Sequence, residues 1–270
     1  MAKVKITVIG ASGRMGQNNI ASVIASDKTE LAGALDVKGS AVFGMDTGML
    51  AGGKANSILI TDDIKALLDK TDVFIDFSST KVSLEYLTIA RDNKKAYVLG
   101  TTGFDEKEEK EIAKIAENIP MVKASNFSKG IALLTNLVRD TSKTLKDGFD
   151  IELLELHHNK KKDAPSGTAK TLAKACAEGR GADISKVIKS GREGMIGERS
   201  KEEIGVMAMR GGGIVGEHSV YFISDEEVLE LKHTALSRRV FSEGAVSAAA
   251  WVCGKDAGLY TMQDVLGLAT

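Results

Sequence analysis

The sequence predicts an α/β protein in two parts: a Rossmann-type parallel-sheet domain, and an inserted α+β domain built on an open mixed sheet. Three observations carry this. The first half alternates short β-branched runs with helical patterns, as βαβ units do. A glycine-rich turn, Gly10-Ala-Ser-Gly13-Arg-Met-Gly16, joins the first strand to the first helix. Past about residue 128 the texture changes to strand-rich sequence with long connections, and an alanine-rich helical pattern returns at the end. No linker separates the two textures, so the second part reads as an insertion and the tail as a return to the first. The expected division is 1–127 completed by 239–270, and 128–238.

Each element has its own signal. Residues 3–9 are a β-branched strand, and a helix follows over 13–26. Residues 31–35 form a second strand ending at Asp36, and 57–61 a shorter apolar run. Gly39 through Lys54 is glycine-rich and aperiodic, which predicts a loop. Residues 72–78 and 96–100 are further strands, with helical patterns at 64–68, 81–91 and 106–116, and Met121-Val122 is a sixth apolar run. Parallel strands covered on both faces read as continuous apolar runs, as these do. Beyond them, 131–145 is a long amphipathic helix, 150–157 a strand with partial alternation, and 166–178 a helix. From 204 to 231 the chain reads as strands broken by Arg210-Gly-Gly-Gly213 and Asp225-Glu-Glu227, and 239–253 is helical.

Composition narrows the function. The 270 residues suffice for one large domain or two modest ones, and 43% apolar content allows a sizeable core. A net charge of −1 and only 5% aromatic residues argue against nucleic acid or an anionic membrane as partner. Cys176 and Cys253 are far apart and form no CxxC pattern, so both read as buried thiols in a reducing compartment. No run approaches the roughly 18 apolar residues of a membrane span. The apolar run within residues 1–10 is too short for a signal peptide. A soluble cytoplasmic protein is the expectation.

The glycine loop has the GxxGxxG pattern rather than the usual GxGxxG, so its placement in the first βα turn matters more than the pattern. There the backbone can approach a pyrophosphate at a helix N-terminus, and Asp36, about 20 residues on, can accept from ribose hydroxyls. The competing reading is a glycine-rich turn without a ligand. A carboxylate at Asp36 repels a 2′-phosphate by about 1–4 kcal/mol per charge pair at 4 Å. Its neighbour Val37 brings no compensating charge, although Lys38 and Arg14 remain available. NADH is therefore expected to be preferred, with NADPH usable. Gly100-Thr101-Thr102-Gly103-Phe104 and Ala124-Ser-Asn126-Phe127 follow strands at the edge where open α/β sheets bind ligands, and could hold nicotinamide. Either alone could be an ordinary turn.

The segment Glu155-Leu-His157-His158-Asn-Lys-Lys161-Lys-Asp163-Ala-Pro165-Ser166-Gly167-Thr168-Ala169 concentrates the chemistry. Imidazole can donate a proton near neutral pH, and lysine can hold an anion. Pro165 through Thr168 reads as a helix start that Asp163 or Ser166 could cap, and such starts attract carboxylates. Of Lys160, Lys161 and Lys162, two are expected to be merely solvated. Adjacent His157 and His158 would point to opposite faces of a strand, and no cysteine or third histidine is near, so no metal site is expected. His218 and His233, far along the chain, read as packed or solvated residues. A proton donor beside an anion cradle is a site for an acidic small molecule.

This segment resembles the signature of the 4-hydroxy-tetrahydrodipicolinate reductase family (older name, dihydrodipicolinate reductase). Gly10 to Gly16, Phe74-Ile-Asp-Phe77, Gly100 to Phe104, Asn126-Phe-Ser128, Gly216-Glu-His218 and Trp251 through Asp264 also look like that family, in the same order over essentially the whole chain. The resemblance implies a Rossmann domain completed by the tail, a substrate and oligomerisation domain, and a homotetramer. It implies NAD(P)H-dependent reduction of 4-hydroxy-tetrahydrodipicolinate with loss of water, on the diaminopimelate–lysine pathway, hydride going to ring C4. In that reading His157 is the proton donor and Lys161 the second catalytic residue. His158, Gly167, Thr168 and Arg238 hold the substrate carboxylates. Gly10, Ala11, Ser12, Gly13, Arg14, Met15, Asp36, Gly100, Thr101, Thr102, Ala124, Ser125, Asn126 and Phe127 hold the dinucleotide. Two departures touch phosphate recognition: Val37 stands where NADPH users often have arginine, and Ser79 where some members have a basic residue. The strand-rich stretch 204–231 is the expected subunit interface. The rival readings are another two-domain dehydrogenase acting on a different acid, and a dinucleotide sensor without turnover.

Overall fold

The computed structural model describes residues 2–268, and the chain divides into two compact units. One runs to Lys129 and resumes at Arg238; the other is Gly130–Ser237. The first begins with β1 (Val4–Ile9), α1 (Arg14–Ala25), β2 (Thr29–Leu35), α2 (Thr47–Leu50), β3 (Ile60–Thr61) and α3 (Lys65–Leu68). It continues with β4 (Val73–Asp76), α4 (Thr80–Asp92), β5 (Ala96–Leu99), α5 (Glu106–Ala116) and β6 (Pro120–Lys123). The chain then enters the second unit through α6 (Lys129–Thr144), β7 (Asp150–His157), α7 (Gly167–Arg180), α8 (Ile184–Val187) and β8 (Ile188–Ser190). That unit ends with β9 (Ile204–Arg210), β10 (Gly216–Ile223) and β11 (Val228–Ala235). The return is made by α9 (Arg239–Val252), β12 (Gly258–Tyr260) and α10 (Met262–Val265).

The first unit is a seven-stranded sheet in the order β12-β6-β5-β4-β1-β2-β3, parallel throughout. The chain runs outward from β1 in one direction and from β4 in the other, so the switch point lies between these two strands, where such sheets bind ligands. All four residues of β4 and of β5 are buried, as strands covered on both faces must be. Leu87 and Ala90 of α4 and Ile112 and Ile115 of α5 pack with Phe74, Tyr97 and Leu99 in one cluster. The alanine content of α9 is explained by close packing. Ala245, Ala248 and Ala249 are fully buried, and a Cβ on Gly244 would stand 1.7 Å from the Phe127 carbonyl oxygen.

The second unit carries a five-stranded mixed sheet, β11-β10-β7-β9-β8, in which β10 is antiparallel to both neighbours and β7, β9 and β8 run parallel. Ile151 and Leu153 of β7 pack with Val220, Phe222, Leu134, Val138, Leu172 and Cys176 in the core. Strand alternation puts Glu155 and His157 on the same face as Ile151 and Leu153.

Several elements depart from the sequence-based expectation. The stretch 39–54 is not wholly loop: Asp46 caps α2, its carboxylate accepting from the Met49, Asn56 and Ser57 amides at 3.1, 3.0 and 2.7 Å. A four-residue helix held by one side chain leaves no periodic trace. The segments α8, β8, β12 and α10 were not foreseen for the same reason, being three or four residues long. Cys176 is buried, but Cys253 is exposed at the C-cap of α9. Among the described residues no helix is long and apolar enough to cross a membrane.

Candidate active site

The second unit gathers the residues of the 155–169 segment at the end of β7. His157 is the last residue of that strand, and its Nδ1 lies 2.6 Å from Glu155 Oε2. The two are neighbours on one face because they are two residues apart in a strand. Register supplies the rest. His157 pairs with Arg210 on β9, and Glu155 with His218 on β10. Arg210 forks onto Glu155, with Nη1 to Oε2 and Nη2 to Oε1 both at 2.8 Å. The His218 ring meets the His157 ring edge-on at 5.2 Å. Opposite the end of β7 stands Gly216, where a Cβ would lie 3.1 Å from His157 Nε2. Glycine leaves that nitrogen accessible.

Ser166 ties this cluster to α7. It is the N-cap, its Oγ accepting from the Ala169 amide at 3.1 Å, while its own amide donates to Glu155 Oε1 at 2.9 Å. Its Oγ also lies 3.2 Å from His218 Nε2. The cap question left open by the sequence is thus decided for Ser166. Gly167 opens the helix with open space where a Cβ would be, and Thr168 follows. Lys161 is drawn over Asp163, Nζ to Oδ1 2.8 Å, and is half-buried, whereas Lys160 and Lys162 are exposed. His158, half-buried, keeps its Nδ1 out of solvent without a hydrogen-bond partner.

Burial alone would raise the Glu155 carboxyl, but hydrogen bonds from Arg210, His157 and the Ser166 amide outweigh it and hold its pKa below the usual range. Burial lowers His157, and the Glu155 carboxylate opposes that without cancelling it. His218 is pushed down to about 4 by burial, then by the neighbouring His157. Near neutral pH the cluster therefore holds one carboxylate, one guanidinium and two neutral imidazoles. The sequence gives no role to Arg210, His218 or Glu155. The two-residue spacing of Glu155 and His157 was available as a signal; the other two arrive through strand pairing.

The first unit gathers the dinucleotide candidates at the carboxyl ends of its strands. Gly10 has φ of +78°, and its amide and that of Ala11 both donate to the Leu35 carbonyl, at 2.9 and 3.0 Å. A Cβ on Gly16 would stand 2.0 Å from the Gly10 carbonyl oxygen, so the loop folds tightly onto α1. Asp36 is buried, accepting from the Ser12 amide at 2.5 Å and the Val37 amide at 2.7 Å. Beside it lies a cleft of about 320 Å³ bounded by Gly10, Asp36, Lys38, Asp62 and Glu85 among others. Gly13, at the N-cap of α1, and Arg14 are exposed, and Met15 is half-buried. A second hollow, about 360 Å³, is lined by Thr101, Thr102, Ala124 and Ser125, which the sequence assigned to two separate turns. Gly100 precedes it, close against Phe77. The Asn126 carboxamide accepts from the Ser128 amide at 2.8 Å, and Phe127 is buried against Phe77 with ring centroids 5.3 Å apart. Arg238 stands immediately before α9, without a side-chain cap hydrogen bond, and belongs to this unit rather than to the one holding His157.

Comparison with known proteins identifies the family. Sequence models of dihydrodipicolinate reductase match residues 4–127, by its N-terminal part, and 130–266, by its C-terminal part. The chain belongs to the dihydrodipicolinate reductase family. Curated 4-hydroxy-tetrahydrodipicolinate reductases from Geotalea daltonii and Geobacter metallireducens are 49% and 50% identical over 265 residues, covering 98% of this chain and 99% of each relative. A solved dipicolinate-bound dihydrodipicolinate reductase from Paenisporosarcina sp. TG-14 shares the fold with a TM-score of 0.77 at 24% identity, over 97% of this chain and 99% of that one. An amine dehydrogenase from Mycobacterium smegmatis is also similar, with a TM-score of 0.64 at 13% identity over 97% of this chain and 95% of that one. The dihydrodipicolinate reductase architecture is thus shared with a differently named dehydrogenase, and only the site can discriminate between substrates.

Proposed function

We propose that this chain reduces 4-hydroxy-tetrahydrodipicolinate to tetrahydrodipicolinate with NAD(P)H and loss of water, in lysine and diaminopimelate biosynthesis. The observation that carries the reading is the Glu155–His157 pair set beside Lys161 and the start of α7, in a chain about half identical to curated reductases. The residues present fit a dinucleotide. The positive φ of Gly10 and the tight Gly10–Gly16 approach make a backbone cradle, next to a cleft containing Asp36. Gly10 through Met15, Asp36, Gly100 through Thr102 and Ala124 through Phe127 would hold it. When bound, it supplies the hydride that the substrate receives at ring C4.

The protein's own residues do the remainder. His157, taking up a proton at Nε2 from solvent as the substrate binds, delivers it to the ring as electron density moves there, an effect worth typically 10²–10⁴-fold. A dianionic substrate beside the imidazole raises its pKa and opposes the effect of burial. Lys161 is the second catalytic residue, neutralising charge beside the ring. His158, Arg238 and the first N–H groups of α7, at Gly167 and Thr168, hold the carboxylates. The Paenisporosarcina protein's dipicolinate, a planar dicarboxylate, is a ligand of the same class.

NADH is the preferred cofactor. The cleft beside Asp36 is bounded by three carboxylates, Asp36, Asp62 and Glu85, against the single cation Lys38, and a 2′-phosphate there would meet net repulsion. Arg14 is not among the residues bounding it. The expected assembly is a homotetramer in the cytoplasm, joined through the 204–231 strands, where Met209 and Val228 are more than half exposed. The decisive experiment mixes purified protein with freshly made dihydrodipicolinate synthase product and follows nicotinamide absorbance, NADH and NADPH in parallel. Synthase-dependent oxidation, faster with NADH, is expected. Binding of both cofactors without oxidation would overturn the reaction, and faster oxidation of NADPH would overturn the cofactor preference.

A further inference from the structure

Behind His157 stands a carboxylate, and behind that carboxylate a guanidinium, and neither has a role in the reaction described above. Glu155 is 1% exposed and both its oxygens are engaged. Oε1 accepts from Arg210 Nη2 at 2.8 Å and the Ser166 amide at 2.9 Å; Oε2 meets Arg210 Nη1 at 2.8 Å and His157 Nδ1 at 2.6 Å. Arg210 is itself pinned by the Met209 and Asp163 carbonyls, both at 2.7 Å. A carboxylate fed by these donors can only accept, so the imidazole nitrogen facing it must carry the hydrogen. Nε2 is left on the side that Gly216 keeps open.

We propose that Glu155 and Arg210 form a positioning pair, which orients the His157 ring, keeps its hydrogen on Nδ1, and presents Nε2 to the substrate. The proposal rests on the proton-donor reading of His157 only for its consequence in turnover; the tautomer is a property of the protein alone. The charged and titratable groups around the ring are Glu155 on β7, Arg210 on β9, His218 on β10, and Lys161 and Asp163 in the following loop, with His233 of β11 opposite His218.

The test is ¹⁵N NMR of the full chain, whose four histidines make assignment by single substitution straightforward. Above its titration, His157 is expected as the Nδ1–H tautomer. Glu155→Gln should invert it. Two fixed donors, Arg210 Nη2 and the Ser166 amide, meet the Oε1 position against one, Arg210 Nη1, at Oε2, so the glutamine oxygen stays at Oε1, its NH₂ turns to Nδ1, and the hydrogen moves to Nε2. The variants should also move the His157 titration in opposite directions. Glu155→Gln removes a negative charge and lowers it; Arg210→Gln removes a positive charge and raises it. Loss of packing alone would not produce opposite shifts. In turnover, Glu155→Gln should lower kcat by about 10²–10⁴-fold while KM changes by less than about threefold. An Nε2–H tautomer in the unaltered protein, or the same tautomer in Glu155→Gln, would overturn the proposal. If Glu155→Gln does not fold, Arg210→Gln decides, and a His157 titration that falls or stays put overturns it. The predicted tautomers together with no turnover of the synthase product would leave the positioning pair standing and refute the reaction.

Discussion

At the scale of single residues, the proposed function divides its chemistry between two side chains. His157 is backed by a buried acceptor, whereas Lys161 is held, among the described residues, by the exposed Asp163 and can be redirected by a ligand. On the proposed mechanism, in which His157 gives its proton in the transition state, His157→Gln should lower kcat by about 10²–10⁴-fold with little change in KM. Lys161→Ala should lower kcat and raise KM together, because its charge also serves binding. Steady-state kinetics with synthase product checks both, and near-normal turnover in His157→Gln would place the donor elsewhere. Much at this scale was legible. The Glu155-x-His157 spacing in a strand declares a shared face, and the Pro165 to Thr168 run declares a helix start, with the cap narrowed to Asp163 or Ser166. Arg210 was not legible, because it looked like the start of a glycine break. Its fork onto Glu155 exists only because β9 lies parallel beside β7 in one particular register.

At the scale of elements, the glycine loop is the most constrained feature. Gly16 lies on α1, pressed against the Gly10 carbonyl, and backbone cannot yield as a flexible side chain would. Gly16→Ala should cost about 1–3 kcal/mol of stability and weaken dinucleotide binding by tenfold or more. Chemical unfolding and fluorescence titration with NADH measure the two, and unchanged affinity would remove the loop from the cofactor site. The long elements were visible in the sequence because a dozen residues at helical or strand spacing give a clear period. Thus α5 and β7 lie where their patterns begin and end. The short ones were not, because α2 depends on the side chain of Asp46, and β12 is a strand only by pairing with β6.

At the scale of the whole molecule, the buried histidine cluster makes folding depend on pH. His218 falls from its ordinary 6.5 to about 4 in the folded protein, so between those values the unfolded chain binds the proton and the folded one does not. Its contribution is complete above about pH 6.5 and is lost as pH falls through about 4, a loss on the order of 3 kcal/mol. Urea unfolding at pH 7.5 and 4.5 should show that fall, and His218→Asn should flatten it; an unchanged slope would mean His218 is protonated in the folded state. His218 itself looked like an ordinary histidine in the sequence, and became part of the site when β10 paired with β7. The sequence by itself determined the alternating βαβ half, the glycine loop with Asp36, the segment from Glu155 to Ala169 and, through them, the family. These are local signals, written in periodicity, turn chemistry and motif. Tertiary structure alone decided the strand order and the meeting of Arg210 and His218 with Glu155 and His157. Partners so distant along the chain are chosen by packing and register, which depend on every element at once and leave no mark in any one of them.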